Sequence, residues 1–228
     1  STTSSSGSTT SSSGSTTSSS GSTTSSSGGA DAGSDAGPMC SETSIPGFTP
    51  TWHPPTGFRQ AKCNDGQIEA FWNNCLNYDG GATALKCAHY MAKADSTCAA
   101  CILSRVDDPS YGAVIDFGEG RFDMNYGGCL ANFESKTDGS GCGGKVQARE
   151  ECQYEACLKN CPAPWDPTGE WTYACRMASF EPGGQCRAQA EAAWCEWGFT
   201  GTPGGVCQWG ATDTFYTVYQ RVARVICQ

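Results

Sequence analysis

The stretch Thr212-Asp-Thr-Phe-Tyr-Thr-Val-Tyr-Gln-Arg-Val-Ala-Arg-Val-Ile-Cys-Gln228 decides the fold class, because it is the clearest amphipathic helix in the chain. Its apolar side chains recur every three or four positions on one face: Phe215, Val218, Tyr219, Val222, Val225 and Ile226. The face expected to meet water carries Thr217, Gln220, Arg221 and Arg224. Thr212 or Asp213 is the expected cap, and Cys227 predicts a disulfide that fixes the chain end to the body.

Helical spacing of apolar residues also occurs upstream of this stretch. It predicts helices at 65–76 with Asp65 as cap, at 82–94, in a short segment capped by Ser96, and at 145–161, 166–180 and 184–197. Residues 112–117 and 121–126 alternate apolar and polar side chains, which predicts a β-hairpin closed by Gly127-Gly128. The expected fold is mainly α: a disulfide-cross-linked helical domain with one small β-hairpin, preceded by a low-complexity extended tether.

The composition divides the chain into segments. Residues 1–39 are the tether, and 40–62 form a Pro-rich arm with Phe48, Trp52 and Phe58 as anchors. The polar, Gly-rich residues 136–144 are the candidate boundary between a Cys-rich helical half at 40–141 and a Cys- and Trp-rich helical half at 142–228. A single domain over 40–228 is the alternative.

The cysteines are even in number and too dense for a reducing compartment. We therefore expect complete pairing and an extracellular or outer cell-surface location, with the connectivity left open. The expected disulfide cysteines are Cys40, Cys63, Cys75, Cys87, Cys98, Cys101, Cys129, Cys142, Cys152, Cys157, Cys161, Cys175, Cys186, Cys195, Cys207 and Cys227. Cys98-Ala-Ala-Cys101 has the spacing of a redox pair, but no thioredoxin-like βαβ pattern surrounds it, so structural bridges are favoured.

The tether contains four copies of the heptad Ser-Thr-Thr-Ser-Ser-Ser-Gly, with no apolar side chain to bury. Its hydroxyl density is typical of O-glycosylated stalks, and an unmodified flexible linker is the alternative. The candidate glycosylation sites are Ser1, Thr2, Thr3, Ser4, Ser5, Ser6, Ser8, Thr9, Thr10, Ser11, Ser12, Ser13, Ser15, Thr16, Thr17, Ser18, Ser19, Ser20, Ser22, Thr23, Thr24, Ser25, Ser26 and Ser27.

The net charge and the hydropathy of the chain limit which partners and which kind of membrane attachment we expect. A formal net charge of −9 argues against nucleic acid and anionic membrane surfaces as partners. The chain begins at Ser1 and has no long apolar run, so we expect a removed signal peptide and no membrane span. A lipid-bearing cysteine upstream of Ser1 is an alternative anchor.

Residues that commonly carry catalysis are sparse. His53 lies in the Pro-rich arm and His89 on the second predicted helix, so they are expected to be packing or surface residues. Asp116 and Asp123 across the predicted hairpin could serve acid–base chemistry or calcium, but solvated hairpin acids are the favoured interpretation. We expect no enzyme activity, no catalytic residues, no metal and no cofactor.

Several tryptophans lie beside Gly and Pro in the second half: Trp165, Trp171, Trp194, Trp197 and Trp209. Filling the core between cross-linked helices is the favoured role for them. The alternative is a set of exposed platforms for sugar rings or protein partners, with Trp165 and Trp209 as the candidate binding residues.

A set of motifs resembles a group of bacterial surface proteins. The motifs are Cys63 with Gln67-Ile-Glu-Ala-Phe71 and Cys75, Cys98-Ala-Ala-Cys101, Tyr111-Gly112 leading to Asn125-Tyr-Gly-Gly-Cys129, and Cys152, Cys157 and Cys161. They resemble the uncharacterised Cys-rich secreted or lipid-anchored proteins of myxobacteria and related bacteria. The resemblance implies a surface location and paired cysteines, and no catalytic residue comes with it.

Together these patterns lead to two functional hypotheses. The first is an extracellular, non-enzymatic structural protein that assembles with copies of itself into a fibre by tether-to-body contacts. The second is a cell-surface module that binds polysaccharide or protein through its Trp-rich half.

Overall fold

The computed structural model describes residues 40–118, 120–159, 161 and 170–228, and the described residues form one compact unit. The tether at 1–39 and its candidate glycosylation sites lie outside the described residues. Trp165, the predicted start of the helix at 166–180 and the side chain of Trp171 lie outside them as well.

Helices dominate the described part of the chain, which confirms the expected mainly α class. They are α1 (Asp65–Phe71), α2 (Ala84–Met91), α3 (Ser96–Ile102), α4 (Tyr126–Glu134), α5 (Cys142–Gln153), α6 (Glu170–Ala178), α7 (Arg187–Ala192) and α8 (Phe215–Cys227). A π-helical turn follows α1 at Trp72–Leu76 and another follows α5 at Tyr154–Leu158. Two 3₁₀ turns lie at Ala193–Phe199 and Pro203–Cys207. None of the described helices is long and apolar enough to cross a bilayer.

The small sheet contains the predicted hairpin and one further strand. Strands β2 (Val114–Gly118) and β3 (Arg121–Met124) pair antiparallel, and β1 (Leu103–Arg105) pairs with β2 in parallel. The Ser104 hydroxyl accepts a hydrogen bond from the Gly112 amide at 3.0 Å and so ties β1 to the chain that leads back into β2. The register pairs Ile115 with Asp123, so Asp116 and Asp123 lie on opposite faces of the hairpin.

Helix α4 is absent from the sequence prediction, which treated Gly127-Gly128 as the close of the hairpin. Both glycines lie inside α4, at its contact with α5. A Cβ on Gly127 would come within 2.6 Å of the Gly143 carbonyl oxygen, and a Cβ on Gly143 within 2.4 Å of the Gly127 carbonyl oxygen. These glycines therefore permit two helices to approach closely instead of forming a turn.

The predicted helix caps are wrong by one or two residues. Asn64 caps α1 instead of Asp65, and Asp95 caps α3 instead of Ser96. Thr214 caps α8 in a capping box with Thr217, because Asp213 accepts hydrogen bonds from Arg221 instead. This ion pair lowers the pKa of Asp213 to about 2 and covers part of the predicted water-facing side of α8.

Two clusters of buried residues support the fold. The main core is built from aliphatic, aromatic and cysteine side chains, including Phe71, Leu130, Val146 and Tyr219, and takes residues from both predicted halves. The minor core consists of Cys152, Ala156, Cys157, Cys175 and Cys186. Phe48 and Phe180 pack against the minor core, and the predicted anchor Phe58, although 42% exposed, packs edge-on against Phe133 with ring centroids 5.5 Å apart.

All cysteines are paired, so the prediction of a disulfide-cross-linked domain is confirmed. The bridges are Cys40–Cys161, Cys63–Cys98, Cys75–Cys87, Cys101–Cys227, Cys129–Cys207, Cys142–Cys195, Cys152–Cys186 and Cys157–Cys175. Cys98 bonds to Cys63, just before α1, and Cys101 bonds to Cys227 at the end of α8, so the two cysteines do not bond to each other.

Candidate functional site

A cleft of about 750 Å³ lies between the β2–β3 hairpin and the helices of the second half. One wall comes from the hairpin and α4, and α5 forms the floor. The opposite wall comes from α6, the turn at Ala193–Phe199 and the segment around Trp209. A cleft of this volume is in the range of small-molecule and oligomer binding sites.

Large aromatic side chains stand on the rim of this cleft. The exposed fractions of Trp197, Tyr173 and Trp209 are 68%, 65% and 52%. Trp194 is 57% exposed but lies outside the cleft lining, with the Arg187 guanidinium over its ring at 5.7 Å. The expectation that these tryptophans fill the core is therefore wrong for Trp194, Trp197 and Trp209.

Disulfides lie close in the chain to the two rim tryptophans. Trp197 lies two residues after Cys195, which is bonded to Cys142 on α5. Trp209 lies two residues after Cys207, which is bonded to Cys129 on α4. Trp197 therefore belongs to a cross-linked turn and Trp209 follows one closely, which lowers the entropic cost of ordering the two rings on binding.

Arginines and carboxylates alternate inside the cleft. Arg149 Nη1 contacts Glu196 Oε1 at 2.5 Å. Arg176 Nη2 lies 3.0 Å from Gln153 Oε1 and 3.7 Å from Asp123 Oδ2. The lining thus offers both donors and acceptors of hydrogen bonds next to apolar ring faces.

Glu150 is the anomalous residue of this site. Its side chain is 6% exposed, and neither carboxyl oxygen has a hydrogen-bond partner. The closest cationic group is Arg149 Nη2, 3.8 Å from Glu150 Oε1, which is beyond hydrogen-bond distance. Burial raises the pKa of Glu150 well above its ordinary value, and Arg149 opposes this shift only in part.

Sequence reasoning missed Glu150, because the run Arg149-Glu150-Glu151 looks like a solvated stretch of helix. The spacing of residues along the helix nevertheless indicated that Glu150 is buried. Val146, Glu150, Gln153 and Cys157 follow one another at intervals of four, three and four residues and are all buried. Glu150 therefore shares the buried face of α5 and the π-helical turn that follows it.

The other sequence candidates lie elsewhere. The His53 ring stacks on Tyr111 with centroids 4.3 Å apart, and His89 is exposed on α2, so the structure does not bring the two histidines together. Asp123 lines the cleft, whereas the Asp116 carboxylate accepts a hydrogen bond from the Gly118 amide. In the described ranges, no group of three or more His, Cys, Asp or Glu side chains is placed to hold a metal ion.

Comparisons of the chain with protein-family models, with curated proteins and with solved structures gave no match.

Proposed function

We propose that this chain is an extracellular glycan-binding protein that holds a segment of polysaccharide in its aromatic-rimmed cleft. The observation that carries the proposal is the exposure of Trp197, Trp209 and Tyr173 around a floor of alternating charged side chains. It develops the second of the two sequence hypotheses, the binding module.

The chemistry of a sugar ring suits both parts of the cleft. One face of a pyranose is largely C–H and packs against an indole or phenol ring, which offers a large apolar surface. The ring edge carries hydroxyls that both donate and accept, so they can pair with Arg176 and Asp123 at once. Exposed aromatic area of this size, rimmed by polar groups, is typical of an interaction site.

The cross-links support the extracellular location that this function needs. Eight disulfides are typical of a protein in an oxidising environment. They also resist the unfolding that exposes a chain to extracellular proteases.

The test is binding to insoluble and immobilised polysaccharides, with Trp209→Ala and Trp194→Ala as a matched pair. Both tryptophans are about half exposed, but only Trp209 lines the cleft. We expect Trp209→Ala to weaken binding about tenfold or more, a loss of about 1.4 kcal/mol, and Trp194→Ala to leave it unchanged. Equal effects of the two substitutions, or no glycan bound by the unmodified chain, would contradict the proposal.

Fibre assembly, O-glycosylation of the tether, the absence of enzyme activity and the resemblance to bacterial Cys-rich surface proteins stay predictions. Electron microscopy of the purified protein tests for fibres. Intact mass under non-reducing conditions tests for glycans on Ser1 to Ser27, because each sugar adds a fixed mass to the fully paired chain. A monomeric protein of unmodified mass would contradict the fibre and glycosylation hypotheses.

A further inference from the structure

The hydrogen bonds around the cleft floor leave one group without donors. Glu150 is more than nine-tenths buried, and both of its carboxyl oxygens lack a donor within the described part of the chain. Buried polar groups in proteins are almost always hydrogen-bonded, and a carboxyl without partners costs free energy. Since Glu150 lines the cleft, a bound molecule can supply the missing donors.

The neighbouring arginines are already engaged by other acceptors. Arg149 contacts Glu196 at 2.5 Å, and Arg176 contacts Gln153 at 3.0 Å. Arg121 Nη1 donates to the carbonyl oxygen of Leu158. Glu150 therefore competes for Arg149 with a carboxylate that lies much closer to it, and its charge is left incompletely balanced.

A ligand ammonium group supplies both the hydrogen-bond donors and the balancing positive charge that Glu150 lacks. It carries three N–H donors and one positive charge, whereas a ligand hydroxyl supplies a donor without charge. An anionic sugar is disfavoured, because the cleft carboxylates Asp123 and Glu196 would repel it and already face the charges of Arg176 and Arg149. The net charge of −9 also favours the approach of a cationic ligand.

We propose that the cleft binds an amino-sugar glycan with free, protonated amino groups, and that Glu150 receives one of these groups as a carboxylate. The proposal rests on the glycan-binding function proposed above and names its ligand class. The rim tryptophans then bind ring faces, and Glu150 distinguishes a free amino sugar from its N-acetylated form.

Binding of an ammonium group at Glu150 is coupled to the release of a proton. Burial raises the pKa of Glu150 and so favours its protonated form in the empty cleft, whereas a bound ammonium favours the carboxylate and the release of that proton into solution. Affinity therefore rises with pH as Glu150 ionises and falls again when the sugar amine loses its charge. The charged and titratable groups that face this position from the surrounding elements are Asp123 (β3), Tyr126 (α4), Arg149 (α5), Arg176 (α6) and Glu196 (the turn at Ala193–Phe199).

The experiment compares a glucosamine oligomer with an N-acetylglucosamine oligomer of equal length, by titration calorimetry at physiological ionic strength. We expect the free amino oligomer to bind about tenfold or more tightly than the acetylated one. Glu150→Gln should remove this preference, because it keeps the shape of the side chain and removes the charge. The matched control Glu191→Gln, on the exposed side of α7, should leave the preference intact.

A second measurement needs no variant, so it remains decisive where Glu150→Gln fails to fold. Titration of the unmodified protein in two buffers of different ionisation enthalpy, at a pH low enough to keep the sugar amines protonated, gives the number of protons released, and we expect a net release on binding of the amino oligomer. Equal affinity for the two oligomers, or binding without proton release, would overturn the role of Glu150 while the glycan-binding function stands. Failure of both oligomers to bind, together with every other polysaccharide tested, would overturn the glycan-binding function itself.

Discussion

The main core and the minor core are stabilised in different ways. The main core buries Phe71, Tyr219, Leu130 and many aliphatic residues, so apolar surface removed from water supplies most of its stability. Four of the five buried residues of the minor core are cysteines, joined as Cys152–Cys186 and Cys157–Cys175. The main core contains bridges as well, but relative to hydrophobic burial they make up a smaller share of it than of the minor core.

The difference matters for the cleft, because the minor core fixes one of its walls. Helix α6 carries Tyr173 and Arg176 into the cleft and is bonded to the turn after α5 through Cys175. The main core positions the floor residues on α5 through Val146. One wall of the proposed binding site is therefore held by cross-links and the floor by packing.

The largest expected effect is on the main core. Phe71 is fully buried and packs edge-on against Tyr90 with centroids 6.1 Å apart. Phe71→Ala should lower the free energy of unfolding by about 3–5 kcal/mol, because it leaves a cavity. Unfolding in guanidinium chloride with the disulfides intact measures this change in free energy. Phe180→Ala, at the partly exposed edge of the minor core, should lose less than half as much, and equal losses would contradict the contrast between the cores.

A smaller effect is expected from opening the minor core. The double variant Cys152→Ala with Cys186→Ala releases a loop with a sequence separation of 34, and we expect a loss of about 2–4 kcal/mol. The control removes the Cys75–Cys87 bridge of the main core, whose separation is 12. Because the loop that the control bridge closes is shorter, we expect the control variant to lose roughly 1 kcal/mol less free energy of unfolding. A larger loss for the control in the same unfolding assay would contradict this order and the greater dependence of the minor core on its bridge.

The last prediction concerns the arm at 40–62, which contacts both cores. Glu151 Oε2 accepts a hydrogen bond from the Thr51 amide at 2.7 Å, and burial raises the pKa of Glu151 to about 7. Because this pKa lies above the ordinary value of 4.5, the folded state binds more protons in that interval. The contribution to stability is complete below about pH 4.5 and is lost as the pH rises through about 7.

Glu151→Gln keeps the acceptor for Thr51 and removes the titration. Thermal unfolding of the variant should therefore depend less on pH between about 4.5 and 7 than that of the unmodified protein. Parallel pH profiles for the two proteins would mean that Glu151 does not link the arm to the pH of the solution.

The sequence predicted the local features of the fold well. The apolar spacing of residues 215–226 predicted α8, and alternation around residues 118–120 predicted the hairpin. Helix α4 was missed, because Gly127 and Gly128 disfavour a helix locally and are required only by the approach of α5. The caps were displaced because Asn64, Asp95 and Thr214 compete with neighbouring residues of similar capping ability.

The candidate site could be predicted only in part. Trp209 was a candidate from its place among Gly residues, and the structure puts it on the cleft rim. Glu150 was not a candidate, because a glutamate in a charged run of helix is normally solvated. The spacing of buried residues along α5 places Glu150 on the covered face, but no local pattern reports that β3, α4 and α6 cover that turn and leave the carboxyl without a donor.

By itself, the sequence determined that the body is helical and cross-linked, since periodicity and cysteine content act over short distances along the chain. Only the tertiary structure decided which cysteines pair, how closely Gly127 approaches Gly143, and which carboxyl is left without a donor. These features depend on residues far apart in the chain, and their energies appear only when packing removes the groups from water.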